Sequence, residues 1–205
     1  MQEKNSLSAR KASLGRPRSE VTRLQILNST LKLLREQSIQ AISIEAIAKE
    51  AGVSKATIYR WWDSKALLVI DAFIENHLLK TPLPIELGPK KAIALHFRTL
   101  VEQFSGWHGR IVAQIIAEGQ SDPSVLRAFR ERFHYGRRAI VSETLEEWKR
   151  SGEIPSDTNV ESLMDIIYSA VYMRLMVGHA PLNDEFAKSH IEYIYHLLGV
   201  TNSDD

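Results

Sequence analysis

The chain has 205 residues, of which 44% are hydrophobic and 25% charged, and its formal net charge is +1. It contains no cysteine, which excludes disulfides, thiolate nucleophiles and cysteine-ligated zinc. It also lacks the spacings of a zinc protease, a nucleophile elbow and a phosphate loop, so we expect a protein that is not an enzyme and needs no cofactor.

Residues 1–18 are predicted to form a flexible basic arm, because they are polar and lack hydrophobic periodicity. The first 60 residues carry 11 Lys and Arg against 5 Asp and Glu, whereas the remainder carries 15 against 20. This asymmetry favours a negatively charged partner for the N-terminal end. The arm has no apolar stretch typical of a signal peptide, and no later segment is long enough to span a membrane, so we expect a cytoplasmic protein.

Within the arm, Gly15-Arg16-Pro17-Arg18 resembles the core of an AT-hook. In such a segment an extended chain inserts arginines into the narrow minor groove of A/T-rich DNA. Arg16 and Arg18 are therefore candidate DNA contacts. The alternative is a basic tail that only improves solubility.

Four helices are predicted between residues 19 and 80. Leucines spaced by three and four residues predict the first, from Ser19 to about Gln37. Serines suited to N-terminal capping precede the other three, which we place at residues 43–50, 55–62 and 65–80. Ala51-Gly52-Val53 joins the second and third helices, and this spacing predicts a helix-turn-helix. An ordinary helical hairpin is the alternative.

The outward-facing side chains favour DNA binding. The start of the second helix of such a motif enters the major groove, where Lys55 can donate to guanine and Ala56 can contact a thymine methyl. Hydroxyl and ammonium groups nearby suit phosphate oxygens. The alternatives are a solvated helix face for the cations and a place in the core for Tyr59 and Trp61. The predicted contacts to double-stranded DNA are Ser43, Ser54, Lys55, Ala56, Thr57, Tyr59, Arg60, Trp61 and Lys65.

The segment SIEAIAKEAGVSKATIYRWWDSKALL, residues 43–68, resembles the DNA-binding domain of the TetR/AcrR family of transcriptional regulators. Thr22-Arg23 and Ile26-Leu27 belong to the same resemblance, and Trp62 departs from it because the family commonly has phenylalanine there. The resemblance implies an all-α fold with an N-terminal three-helix helix-turn-helix domain and a C-terminal ligand-binding and dimerisation domain. It also implies phosphate contacts from Thr57, Tyr59 and Lys65.

Prolines at positions 82, 84 and 89 mark the expected domain boundary. We therefore expect a DNA-binding domain at 19–65, a connecting helix at 66–80 and a regulatory domain at 81–205. Helices are predicted at residues 90–104, 107–119, 123–150, 159–178 and 184–198.

The helix at 159–178 is apolar nearly all round, which predicts burial on every side. The last helix has two apolar stripes, one for its own core and one for a second copy of the chain. Burial within one protomer is the alternative. The predicted homodimer interface consists of Tyr168, Leu175, Met176, Phe186, Ile191, Ile194, Tyr195 and Leu198.

A small-molecule effector, which the resemblance implies, is expected among aromatic and polar side chains of the C-terminal helices. Gly136 interrupts a long helix, so we expect close packing or space for a ligand there. Five arginines between residues 127 and 138 are interpreted as a solvated face. The predicted ligand-binding residues are Phe97, Phe104, Trp107, His108, Gln114, Glu118, Phe133, His134, Tyr168 and Tyr172.

The function predicted from these features is ligand-responsive transcriptional regulation, acting as a repressor through a palindromic operator. The effector would favour a conformation in which the two recognition helices are wrongly spaced, with the helix at 65–80 as the lever. The alternative is an architectural or constitutive DNA-binding protein without an effector. The near-neutral total charge argues against it, because coating DNA requires basic surface throughout.

Overall fold

The computed structural model describes residues 19–77 and 83–200, and every regular element in these ranges is a helix. An N-terminal bundle consists of α1 (Glu20–Glu36), α2 (Ile44–Glu50) and α3 (Lys55–Tyr59). α4 (Lys65–His77) packs along α1 and also contacts the helices that follow. The predicted basic arm, with Arg16 and Arg18, lies outside the described residues.

Serine hydroxyls fix the starts of α2 and α3. Ser43 Oγ accepts the backbone N–H of Ala46 at 3.1 Å, and Ser54 Oγ accepts that of Thr57 at 3.2 Å. Gly52 has a φ of 62°, a left-handed conformation that glycine adopts without a steric penalty. The predicted helix-turn-helix is thereby confirmed, although α3 ends at Tyr59, about three residues earlier than predicted.

The core of the N-terminal bundle lies between α1 and the two helices of the motif. Ile58 of α3 and the ring of Trp62 are buried in it. The buried face of α1 differs slightly from the predicted one, because Leu24 is exposed and Ile26 is buried. The other three leucines of the predicted stripe are buried: Leu27, Leu31 and Leu34.

Six further helices follow a short 3₁₀ turn at Ile85–Leu87. Asp122, Asn159 and Asn183 cap three of them by accepting backbone N–H groups with their side-chain oxygens. The helices are α5 (Pro89–Phe104), α6 (Trp107–Ser121), α7 (Pro123–Phe129), α8 (Tyr135–Arg150), α9 (Val160–Val177) and α10 (Asp184–Leu197).

The predicted single helix at residues 123–150 is interrupted. Residues Arg130–His134 form a π-helical segment between α7 and α8. A π-helical turn accommodates more residues than an α-helical turn, so side chains before and after it point in directions that a continuous α-helix would not give. Arg132 and Phe133 belong to this segment, and both reach other parts of the molecule.

α9 is not buried on every side, which corrects the sequence interpretation. The exposed apolar side chains of α9 and α10 form what we call the α9–α10 apolar face, which consists of Ile166, Met173, Met176, Val177, Tyr193 and Leu197. Of the predicted interface residues, only Met176 belongs to it, and Leu175 and Tyr168 are partly buried. The others are buried within the protomer and are unavailable to a second copy: Phe186, Ile191, Ile194, Tyr195 and Leu198.

The close helix packing expected at Gly136 occurs at other glycines. Gly136 is exposed, and an added Cβ would meet nothing within 4 Å. At Gly109 of α6 a Cβ would collide with the backbone of Phe104 and lie 2.9 Å from Leu175 Cδ1. Gly109 therefore allows the start of α6 to approach both α5 and α9.

None of the described helices is long and apolar enough to cross a membrane. In the same ranges of the chain, no group of three or more metal-ligating side chains is present.

Candidate nucleic-acid interface and ligand cavity

The exposed surface of α3 carries the side chains predicted to contact DNA. Ile58 anchors the helix in the core, which leaves Ser54, Lys55 and Ala56 exposed at its N-terminal end. Tyr59 is 50% exposed, so it is not a core aromatic, and Arg60 beside it is exposed. Exposed residues whose chemistry suits DNA contacts therefore lie together on α3 and directly after it.

Lys55 is paired with an acid of the preceding helix. Its Nζ lies 2.8 Å from Glu45 Oε1, and both side chains are more than half exposed. The ammonium holds the pKa of the Glu45 carboxyl below its ordinary value, mainly through this hydrogen bond. An exposed ion pair of this kind is weak, so a guanine edge or a phosphate can replace Glu45 as the partner.

Hydroxyl groups at the start of α3 also contact one another. Ser54 Oγ and Thr57 Oγ1 are 2.9 Å apart, while Ser54 Oγ caps the helix. Ser43, another predicted contact, is exposed at the start of α2, where its hydroxyl is occupied by capping.

Lys65 has a structural position that the sequence did not indicate. Its Nζ donates to the carbonyl oxygens of Ile39 and Ile42 at 2.6 and 3.0 Å, so it holds the loop between α1 and α2 against α4. An ammonium has three protons, which leaves one for a phosphate.

Two neighbouring tryptophans follow α3. Trp61 is partly buried against the core, with its ring 6.1 Å from that of Trp62. Trp62 Nε1 donates to Asp71 Oδ2 of α4 at 2.8 Å. The indole N–H, which a phenylalanine would lack, ties the segment that follows α3 to α4.

Asp71 also binds the C-terminal helices. Arg132 of the π-helical segment donates from Nη1 to Asp71 Oδ1 at 2.7 Å. One carboxylate thus receives a hydrogen bond from each side, and we call Arg132, Asp71 and Trp62 the Asp71 bridge. Arg132 is exposed, as the interpretation of a solvated face implies, but it is also bound to this carboxylate.

A second set of contacts joins α6 to the N-terminal bundle. Arg110 donates from Nη2 to the carbonyl oxygens of Leu34 and Arg35, at the end of α1, and Gln114 Oε1 accepts the backbone N–H of Ile39 at 2.7 Å. Free carbonyls at a helix end are thereby satisfied.

A cavity of about 60 Å³ opens between α5, the π-helical segment, α8 and α9. Its volume exceeds the roughly 10–15 Å³ that one water requires by this measure. Phe133 and His134, next to Arg132, form part of its wall. The described residues that line it are His96, Leu100, Phe104, Phe133, His134, Arg137, Arg138, Tyr168 and Tyr172.

Five of the ten predicted ligand-binding residues line this cavity: Phe104, Phe133, His134, Tyr168 and Tyr172. The other five lie elsewhere. Phe97 is buried against Phe186 and His190 of α10. Glu118 is partly buried on α6, outside the cavity lining.

Three predicted ligand residues lie instead at the contact between the two halves of the molecule. Trp107 lies under the guanidinium of Arg35, 5.3 Å from ring centroid to Cζ. His108 Nε2 is 3.0 Å from Asn76 Oδ1 of α4, and Gln114 makes the contact with the N-terminal bundle given above. Aromatic and polar residues at helical spacing do not distinguish a cavity from such a contact.

The sequence interpretation missed His96, Leu100, Arg137 and Arg138 as cavity residues. Both arginines had been assigned to the solvated face, although Arg137 donates to His96 Nδ1 at 3.1 Å and is partly buried. The π-helical segment changes the direction of these side chains, and no feature of the sequence reveals it.

Burial shapes the electrostatics of the cavity. It raises the pKa of Tyr172 to about 12 and raises the pKa of Tyr168 further, so both phenols remain protonated. Burial, followed by the charge of Arg138, lowers the pKa of His134 below its ordinary value. Burial also lowers the pKa of the Arg137 guanidinium. The cavity therefore presents neutral donors and a desolvated cation to a ligand.

Comparisons with known proteins agree with this architecture. Residues 26–72 match the family model described as "Bacterial regulatory proteins, tetR family", and residues 91–194 match "Tetracyclin repressor-like, C-terminal domain". The chain is 32% identical, over 85% of its length and 88% of the relative's, to the uncharacterized HTH-type transcriptional regulator YdeS of Bacillus subtilis strain 168.

Solved structures give the same result. The TetR family transcription regulator SCO0332 is similar with a TM-score of 0.76 and 27% identity, over 89% of this chain and 99% of that one. FadR of Bacillus subtilis, solved in complex with stearoyl-CoA, is similar in fold with a TM-score of 0.68 and 20% identity, over 83% and 96% of the chains. The chain therefore belongs to the tetR family of DNA-binding transcriptional regulators, a family of regulators and not of enzymes.

Proposed function

We propose that this chain is a repressor that binds a palindromic operator as a homodimer and is released by a small-molecule effector. The place of action would be the cytoplasm, where the operator is accessible. The observation that carries the proposal is the Asp71 bridge, because one carboxylate joins Arg132, which directly precedes two residues of the cavity wall, to Trp62 in the segment that follows α3.

The geometry of the bridge suggests how a ligand would act. Arg132 directly precedes the cavity residues Phe133 and His134, so a ligand that moves their backbone also moves the Arg132 guanidinium. Asp71 receives the indole N–H of Trp62 on its other oxygen. A ligand that prefers a different position of the π-helical segment would shift α4 and reorient α3.

Dimerisation supplies the spacing between two reading helices. Family members dimerise, and the α9–α10 apolar face of this chain is suited to self-association because it consists of large side chains left exposed in one protomer. A two-fold dimer reads two half-sites about 34–36 Å apart on one face of the duplex. The FadR complex supports a ligand in the C-terminal helices, since a protein of the same fold holds stearoyl-CoA.

Two measurements test the proposal. Selection from random duplex DNA, read by sequencing, is expected to yield palindromic sites that the chain binds at a stoichiometry of one dimer per site. A small-molecule library is then tested for release of the selected duplex by fluorescence anisotropy. Equal binding to selected and shuffled duplexes would favour the architectural alternative and overturn the proposal.

A matched pair of variants tests whether the cavity is responsible for release. Leu100→Trp fills the cavity from α5, so it is expected to bind the selected duplex and ignore compounds that release the parent. Leu95→Trp carries the same change at an exposed position of α5 and is expected to respond normally. A full response from Leu100→Trp would place the effector elsewhere.

A further inference from the structure

The chemical class of the effector can be inferred from one end of the cavity, an inference that rests on the proposed function. His96, Arg137 and Tyr168 come together there. Arg137 donates to His96 Nδ1 at 3.1 Å, and the rings of His96 and Tyr168 meet edge to face with centroids 6.1 Å apart. We call these three residues the polar end of the cavity.

The Tyr168 hydroxyl is a hydrogen-bond donor at this end of the cavity. The side chain lines the cavity, and its hydroxyl oxygen is buried without a hydrogen-bond partner among the described residues. A buried donor without an acceptor is unfavourable, so an acceptor oxygen on a ligand would be stabilised at this position.

The charge of the polar end is positive. In the contact of Arg137 with His96, the guanidinium donates and Nδ1 accepts. The lining residues of the described chain include two arginines and no acid. Arg138 is matched by Glu161 and Asp165, at 2.6 and 3.0 Å, at the outer side. Arg137 and Tyr168 contact the same imidazole, since Arg137 donates to His96 Nδ1 and the ring of Tyr168 meets that of His96 edge to face.

The remaining walls are apolar and close together. Leu100, Phe104 and Phe133 are buried hydrophobic side chains, and Tyr172 meets Phe104 edge to face with ring centroids 6.2 Å apart. The volume of about 60 Å³ limits a ligand to a small body and excludes a nucleotide or an oligosaccharide.

We propose that the effector is a small carboxylic acid with an aromatic or short aliphatic body, bound with its carboxylate between Arg137 and Tyr168. The fork of a guanidinium matches the two oxygens of a carboxylate, and the phenol donates to one of them. The body lies among the apolar walls.

The test measures binding of three acids and their uncharged amides to the full chain by calorimetry: benzoate, phenylacetate and octanoate, each against its amide. At least one acid is expected to bind with a dissociation constant at or below roughly the millimolar range and at least tenfold more tightly than its amide. Binding of no acid, or equal binding of acid and amide, overturns the proposal.

Two variants assign the contact. Arg137→Gln is expected to abolish the preference for acid over amide. Tyr168→Phe removes only the hydroxyl without a partner, so the acid is expected to bind this variant about tenfold more weakly. The melting temperature of the free protein is expected to stay unchanged or to rise. A residue with a purely structural role would lower the melting temperature instead. Arg150→Gln and Tyr135→Phe are the matched controls at exposed positions of α8.

Failure of this inference differs from failure of the proposed function. If an amide or another neutral compound releases the selected duplex and no acid binds, the inference that the effector is a carboxylic acid is wrong, whereas the proposed function stands. If an acid binds in the cavity but does not release the duplex, the carboxylate site is supported and the proposed release of DNA by the effector is contradicted.

Discussion

At the scale of single residues, the ion pair of Lys55 with Glu45 decides which group of α3 is available to a base edge. The pair is exposed and lies at the N-terminal end of α3, the end that we expect to enter the major groove. Lys55 can leave Glu45 and donate to a guanine instead, and this change of partner requires only a rotation of the lysine side chain. We therefore expect base preference to depend most directly on Lys55.

Lys55→Ala is therefore expected to relax preference at one base pair of each half-site, by about 1–3 kcal/mol for the preferred base. The measurement is competition between the selected duplex and duplexes changed at single positions. Lys49→Ala, an exposed lysine at the end of α2, serves as the control and is expected to leave preference unchanged. An unaltered preference profile in Lys55→Ala would show that another residue reads the base.

Lys65 combines a structural and a proposed DNA-binding role. Loss of its ammonium in Lys65→Met leaves the carbonyls of Ile39 and Ile42 without a charged donor, so the free energy of unfolding is expected to fall by about 1–3 kcal/mol. The phosphate role predicts, in addition, that the slope of log affinity against log salt falls by about 0.9. Urea unfolding and titrations at several salt concentrations separate the two. A lower stability with the parent's salt slope would leave only the structural role.

His190 gives the stability a pH dependence. It stacks on Phe97, with centroids 5.1 Å apart, and burial lowers its pKa below the ordinary value of 6.5. The unfolded chain therefore binds a proton before the folded one does, and stability is lost as the pH falls below about 6.5. Urea midpoints between pH 7 and 5 should decline less in His190→Gln than in the parent. The exposed His179→Gln is the control, and identical slopes in all three proteins would exclude this role.

At the scale of elements, most helix boundaries could be predicted because they depend on local chemistry. The side chains of Ser43, Ser54 and Asn183 accept backbone N–H groups that the first turn of a helix leaves without a partner. Gly52 and Gly178 take left-handed conformations after the helices that precede them. The π-helical segment could not be predicted, because hydrophobic periodicity across residues 123–150 is compatible with one continuous helix. Because the prediction treated residues 123–150 as one helix, it also missed the contacts that Arg132, Arg137 and Arg138 make with other helices.

The Asp71 bridge predicts different effects for its two donors. Trp62→Phe keeps an aromatic ring in the core but removes the indole N–H, so the free energy of unfolding is expected to fall by about 1–3 kcal/mol and DNA affinity to fall with it. Arg132→Gln leaves α3 tied to α4, so DNA affinity without ligand is expected to stay near that of the parent.

The response to an effector separates these variants. Arg132→Gln interrupts the path from the cavity, so a compound that releases the parent is expected to bind this variant but release DNA at least fivefold less effectively. Arg127→Gln, an exposed arginine of α7, is the control. A normal response in Arg132→Gln would show that coupling runs through other contacts, such as Arg110 and Gln114 of α6.

At the scale of the whole molecule, the order of helices and the two-part organisation follow from the sequence, but the outward face does not. Apolar side chains recur on two stripes of α10, and the sequence interpretation took interface residues from both without deciding which one turns toward α5 and α9. The packing of Ile194 and Leu198 into the protomer core leaves Tyr193 and Leu197 exposed. The α10 residues that the sequence assigned to the interface are therefore ones that the protomer core buries.

Leu197→Glu tests the corrected assignment. Leu197 is 50% exposed in one protomer, so a charge there costs the free chain little, whereas a dimer would have to bury that charge twice. The variant is expected to sediment as a folded monomer at micromolar concentration and to bind the selected duplex at least tenfold more weakly. It should retain the unfolding transition of a fully folded protomer.

Ile194→Ala provides the opposite pattern on the same helix. Ile194 is fully buried, so its truncation is expected to lower the free energy of unfolding by about 2–5 kcal/mol without changing the oligomeric state of the folded protein. Sedimentation and urea unfolding of the two variants distinguish an interface residue from a core residue. A dimeric Leu197→Glu protein with unchanged operator affinity would mean that two chains set the spacing of their reading helices through another surface.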